Sequence, residues 1–154
     1  MKVFYAVFDT NVLVSSLISK RNDSPTVVLL DYVLDGRIVL LYNDEILAEY
    51  DEVLHRTKFD FSDERVNAVL ELVKKSTFLE PTPSGAFFPD VDDAVFYEVA
   101  LSKNGSYLVT GNQKHFPKSP IVVTPAEMLQ IIQNETNRIL TKPTPNNPKS
   151  LKHI

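Results

Sequence analysis

A chain of 154 residues is the length of one domain with a tail, enough for a single core that buries roughly two-thirds of its unfolded surface. The composition, 44% hydrophobic and 23% charged, excludes general disorder and the fibrous classes. The lack of cysteine excludes disulfides, thiolate zinc sites and cysteine nucleophiles, so any metal is held by oxygen or imidazole, which favours Mg²⁺ or Mn²⁺. A net charge of −4 excludes the broad basic surface that grips long duplex nucleic acid. It leaves other nucleic-acid substrates open, because carboxylates around a metal make the total negative while presenting a local cation. No apolar run approaches the ~20 residues of a membrane helix, and an acid follows Met1 too soon for a secretory signal. The expectation is a soluble globular protein of the cytoplasm, with no membrane contact.

Val3 to Phe8 is a near-continuous run of β-branched and aromatic residues, the pattern of a strand buried on both faces in a parallel sheet. Asp9-Thr10-Asn11 ends it, Val12 to Ile18 begins a helix, and Ser19 to Asp23 is a polar loop carrying Lys20 and Arg21. Ser24-Pro25 reads as an N-cap with proline in the first helical position, opening a helix through Leu34 that Gly36 terminates. Ile38 to Leu41 is a second strand. Asn43 or Asp44 caps the next helix, whose Ile46, Leu47, Tyr50, Val53 and Leu54 form an apolar stripe. Ser62 caps a helix over Asp63 to Lys75, with acids in its first turn and lysines in its last, as the helix dipole prefers.

A strand around Thr77 to Leu79 and a loop marked by Pro81, Pro83, Ser84 and Gly85 follow. Asp93 to Ser102 is a helix, Tyr107 to Val109 a strand, and Ile121 to Val123 the last strand. Thr124-Pro125-Ala126-Glu127 combines a capping box with a first-turn proline and starts a helix to about Gln133. The expected division is a domain over 1–134 and a basic tail over 135–154, which carries Arg138, Lys142, Lys149 and Lys152 and is kept irregular by Pro143, Pro145 and Pro148. The alternation of strand and helix predicts an α/β fold, a three-layer α/β/α sandwich around a mostly parallel sheet.

In such sheets ligands bind beyond the carboxyl ends of the strands, where Asp9 and Asn112 fall. Asp93 stands at the start of a helix whose Phe96, Tyr97, Ala100 and Leu101 face the core, so its carboxylate is anchored while its free oxygens point outward. Three acids from distant segments can thus meet at one sheet edge and hold a hard divalent cation that activates water against phosphorus. Singly, each has a plainer explanation: a turn or cap for Asp9, a solvated acidic cap for Asp90, Asp92 and Asp93. In the helix after Asn43, Glu49 and Asp51 lie about equally far from the centre of the stripe, roughly 100° on opposite sides, and periodicity does not choose between them.

FDTNVLVSSL near the start, EILAEYDEVLHRTKF in the middle, and DVDDAVFYEVAL followed by SYLVTGNQKHFP together resemble the PIN-domain family, in particular the toxin members of bacterial toxin–antitoxin pairs. No piece is specific alone; the likeness lies in all four in order, from about Val3 to Leu129. The resemblance implies a parallel sheet between helices and an acidic pocket that binds Mg²⁺ or Mn²⁺ and cuts single-stranded RNA. By motif the metal-binding and catalytic positions are Asp9, Glu49 (in the form ILxE, which chooses it over Asp51), Asp93 and Asn112. Asn112 is a departure, since the family commonly has Asp in VTGD; an amide keeps a carbonyl ligand but loses a charge, implying weaker cation binding. Asn11 and Thr110 are expected to orient carboxylates or waters, Asp90 and Asp92 are near enough to Asp93 to be alternatives for the third acid, and His115 contacts phosphate, moves a proton or is simply a hydrogen-bonded loop residue.

The expected function is that of a metal-dependent endoribonuclease, restrained by a small antitoxin protein and, as such proteins often are, a homodimer. The alternative is a catalytically weakened module acting through protein or RNA binding, motivated by Asn112 alone. A phosphatase of the haloacid dehalogenase type weighs least: that chemistry needs a second Asp two positions after Asp9, and Asn11 stands there.

Overall fold

A computed structural model of the chain describes residues 2–141. Five strands form one sheet: β1 (Phe4–Phe8), β2 (Ile38–Tyr42), β3 (Thr77–Phe78), β4 (Tyr107–Val109) and β5 (Val122–Val123). Their order is β3-β2-β1-β4-β5, and every pairing is parallel. The expected α/β/α sandwich is therefore observed, with a sheet that is wholly rather than mostly parallel. Parallel strands need long crossovers, and here helices provide most of them: α1 (Thr10–Ile18), α2 (Pro25–Leu34), α3 (Asp44–Leu54), α4 (Asp63–Lys74), α5 (Ala94–Leu101) and α6 (Pro125–Thr141).

The central strands are the apolar runs anticipated from the sequence. Ala6, Val7 and Phe8 of β1 and Leu40 and Leu41 of β2 are almost wholly buried, because helices cover both faces of the sheet. Helix α5 packs across β1, β2 and β4, and α2 packs on β2 and against α6. Phe96 of α5 meets Tyr50 of α3 at a ring separation of 6.3 Å, linking two elements that carry acids. Among the described residues no helix is long and apolar enough to cross a membrane.

The boundaries shift in ways that have local causes. The helix expected from Val12 begins at Thr10, because Asp9 is its N-cap and accepts a hydrogen bond from the Thr10 N–H at 2.8 Å. Asn43, rather than Asp44, caps α3, its side chain accepting from the Ile46 N–H at 3.0 Å. Asp93 closes a short 3-10 turn over Val91–Asp93 and so precedes α5 instead of beginning it.

A second 3-10 turn, Gln113–His115, follows β4 where only a polar turn was expected. The last helix continues to Thr141 instead of ending about Gln133, so the boundary expected at 134/135 falls inside α6. No proline interrupts this stretch before Pro143, and two contacts hold it: Arg138 pairs with Glu135 at 2.7 Å, and Arg37 donates to the Thr136 hydroxyl at 3.1 Å. Lys142, Lys149, Lys152 and the tail prolines lie outside the described residues.

Candidate active site

With strand order β3-β2-β1-β4-β5, the chain leaves β1 first toward β2 and later returns to its other side as β4. That reversal opens a crevice beyond the carboxyl ends of β1 and β4, the customary ligand site of an open parallel sheet. Phe8 is followed there by Asp9 and Val109 by Thr110, and the Asp9 N–H donates to the Val109 carbonyl at 2.9 Å. The two strand ends are thus tied together where the polar residues begin.

Asp9 is only 8% exposed. One carboxylate oxygen accepts from the Thr10 N–H; the other accepts from Asn11 Nδ2 at 3.0 Å and from the Thr110 hydroxyl at 2.7 Å. Burial raises its pKa above the ordinary value, and these three hydrogen bonds, Thr110 foremost, oppose the rise. Thr110 is completely buried and also accepts from the Asn112 N–H at 3.0 Å, so one hydroxyl holds both the first acid and the turn after β4. Asn11 completes the tie: its side-chain oxygen accepts from the Gly111 N–H at 3.1 Å. Asn11 and Thr110, expected to orient carboxylates, both bond Asp9.

Glu49 enters from the middle of α3. Its carboxylate accepts a short hydrogen bond from the Thr10 hydroxyl, and partial burial raises its pKa, with smaller rises from the charges of Asp9, Asp93 and Asp92. The helical ambiguity disappears in three dimensions. Asp51 points away from the site and pairs with His55 at 2.9 Å, 60% exposed. The neighbouring Tyr50 fixes the register of α3 against the sheet, since its buried hydroxyl donates to the carbonyl of Phe8, directly before Asp9.

Asp93 arrives from the 3-10 turn before α5. Its pKa is raised to about 6, chiefly by burial and then by the charges of Asp9 and Asp90, while His115 pulls the other way. His115 Nδ1 lies 3.7 Å from the Asp93 carboxylate. Asp90 shapes the turn that presents Asp93: its side chain accepts from the Asp92 N–H at 3.0 Å and its carbonyl from the Asp93 N–H at 3.1 Å.

Asn112 is the outlier. It is exposed, and it joins the site through its backbone N–H; it precedes the second 3-10 turn without a side-chain capping bond. Among the described residues no three His, Asp or Glu side chains are gathered closely enough to form a ready-made metal cage.

The structure therefore brings Asp9, Glu49 and Asp93 within electrostatic reach of one another, with Asn11, Thr110 and His115 attached to them. It adds Thr10, which sequence reasoning took only as the middle of a turn. The available signal was its place: a hydroxyl at the first position of a helix, one residue after an acid, points back across the strand end. A cavity of about 630 Å³ opens on the Glu49 and Asp92 side, and a smaller one of about 310 Å³ borders Asn11 and Asn112.

Oxygen donors of this kind, with the Asp9 charge raising the pKa of both Glu49 and Asp93, form a negative potential well suited to a hard cation. Magnesium commonly takes one or two carboxylates and keeps several waters, so such a site does not require a complete cage. Asp9, Glu49 and Asp93 are the residues that fit it.

No curated protein matches the chain. A family model described as PIN domain matches residues 5–114, well over half of the length, including Asp9, Glu49, Asp93 and Asn112. The chain belongs to the PIN-domain family, whose members are in general nucleases.

Proposed function

We propose that the protein is a divalent-metal-dependent endoribonuclease acting on single-stranded RNA, and the toxin of a toxin–antitoxin pair. The observation that carries this reading is the convergence of Asp9, Glu49 and Asp93, from the end of β1, α3 and the turn before α5, as three carboxylates disfavoured by burial, with the Asp9 charge acting on the other two. Left alone, such a cluster repels a phosphodiester, so its use on RNA calls for a cation. Asp9, Glu49 and Asp93 would hold Mg²⁺ or Mn²⁺, which would supply positive charge against the phosphate and a lowered pKa for water. Attack of water on phosphorus in line would break the bond to the 3′ oxygen and leave a 5′-phosphate. The protein's own contribution is to hold the acids: Thr110 and Asn11 orient Asp9, Thr10 orients Glu49, and the Asp90 turn presents Asp93. His115, exposed and 3.7 Å from the Asp93 carboxylate, would contact a phosphate oxygen in this reading. A small antitoxin partner, a homodimer and a cytoplasmic location belong to the same reading.

Purified protein with Mn²⁺ or Mg²⁺ is expected to cut an unstructured RNA, and Asp9→Asn or Asp93→Asn to abolish cutting. Equal cutting by parent and both variants would remove the assignment of the site. The exposed amide of Asn112 favours a second reading, a module that binds RNA or protein with weakened catalysis. Calorimetry finding no Mn²⁺ or Mg²⁺ binding, with or without RNA, would favour that one.

A further inference from the structure

At the end of α1 farthest from the acids, the last turn of that helix and the corner between α3 and α4 enclose a cleft of about 370 Å³. Phe59 and Phe61 stack there nearly parallel, 9° between planes and 5.4 Å between centroids. Phe61 packs on the core, whereas Phe59 does not belong to it. Between them Asp60 has φ 53, the left-handed region, and among the described residues it is the only non-glycine residue there.

Cations surround the ring pair. Lys58 Nζ lies 5.1 Å from the centre of the Phe59 ring, and the Arg65 guanidinium 5.6 Å from that of Phe61. Arg65 is fixed by donating to the Leu17 carbonyl at 2.7 Å, and Lys20 lines the same cleft. Arg21, Arg56, Lys74 and Arg138 are each paired with a carboxylate. Among the described residues Lys20, Lys58 and Arg65 are not, a state they share with Lys2, Arg37, Lys75, Lys103, Lys114 and Lys118, and Asp60 is the one acid lining the cleft.

We propose that this cleft is a second contact for single-stranded RNA, with a base stacking on the Phe59–Phe61 pair and Lys20, Lys58 and Arg65 meeting phosphates. Stacked aromatics beside unpaired cations are the standard means of holding an unpaired strand without reading its sequence. A duplex does not fit, because its bases are already stacked inside. The position suits a strand that also crosses the acids. Helix α1 begins at Thr10, bonded to Glu49, and ends at Ile18 in the cleft; nine residues span about 13 Å, the rise of about four stacked nucleotides. The proposal rests on the nuclease reading only for the choice of RNA as ligand.

The test is fluorescence anisotropy of the full chain with a labelled unstructured RNA, with Ca²⁺ supplied to offset the acids, alongside cleavage in Mn²⁺. Phe59→Ala is expected to weaken binding about tenfold, with Phe59→Trp restoring it. Lys20→Ala and Lys58→Ala should each lower the salt slope by about one. Lys103→Ala, whose ammonium lies over Tyr5 outside the cleft, should change neither.

Weakened binding by the Phe59 and lysine variants supports the cleft even if the parent cuts nothing, which would sink only the nuclease reading. Cleavage by the parent, with affinity unchanged in folded Phe59→Ala and Lys58→Ala, would overturn the cleft and leave that reading standing. It would assign the ring pair to closing the α3–α4 corner or to a protein partner. A parent that binds no RNA also overturns it.

Discussion

Replacing Asp93 by Asn should stabilise the metal-free protein at neutral pH. In the folded state the Asp93 carboxyl is raised from 3.8 to about 6, because burial and the charges of Asp9 and Asp90 disfavour its ionised form. Such a group makes folding less favourable as pH rises through the interval between those values. The penalty is absent below about 3.8 and complete above about 6. The shift corresponds to about 3 kcal/mol against the charged form. The carboxyl reaches solvent, and screening cuts this to about half. The dipole of α5 favours the charge by about 0.3–1 kcal/mol, leaving a net gain of about 1 kcal/mol for the neutral amide. For a chain of this size that is a rise in Tm of about 2–4 °C. Thermal unfolding in EDTA should show this gain at about pH 7.5 and none at about pH 4. A variant that melts lower than the parent at pH 7.5, or whose difference from it does not change with pH, would refute the account of Asp93 as a carboxyl penalised by burial and by the charges beside it.

Other expectations follow from the same geometry. Cleavage at low Mn²⁺ should fall as pH drops through about 6, where Asp93 takes up its proton, and raising Mn²⁺ should move the fall to lower pH; a profile unaffected by Mn²⁺ would separate Asp93 from the cation site. Thr110→Val removes the hydroxyl that bonds both Asp9 and the Asn112 N–H, so urea unfolding should show a loss of about 1–3 kcal/mol, with single-turnover cleavage reduced tenfold or more. Tyr50→Phe leaves the Phe8 carbonyl without that donor, and a midpoint shift in urea worth about 1 kcal/mol at unchanged m is expected. Asn112→Asp should tighten Mn²⁺ binding in calorimetry while lowering Tm in EDTA, since a fourth charge near the cluster helps only when a cation is present.

Much of the site was legible because it sits at element ends, and ends are written locally. The polar Asp9-Thr10-Asn11 after an apolar run marks the carboxyl end of β1, and Thr110-Gly111-Asn112 marks that of β4. Both observed strands stop where the hydrophobic pattern does. The end of α6 was less legible, since Glu135 to Thr141 contains neither a breaker nor a strong apolar signal, and its contacts come from Arg37, 99 residues away from Thr136 in sequence.

The sequence by itself determined where the strands and helices lie, because burial periodicity and capping chemistry act over a few residues. It also determined which residue types were available for chemistry: carboxylates, amides, one histidine near the last acid, and no thiol. A helical wheel treats Glu49 and Asp51 alike, and only the likeness of ILxE to the family's motif pointed to Glu49; the physical reason is tertiary, since Tyr50 sets α3 against the sheet so that Glu49 meets the Thr10 hydroxyl and Asp51 meets His55. Tertiary structure alone put the Thr110 hydroxyl on the Asp9 carboxylate across 101 positions of chain. A pKa raised to about 6 at Asp93 is likewise in large part a property of assembly, since burial comes first among its causes and the charge of Asp9, from another segment, second.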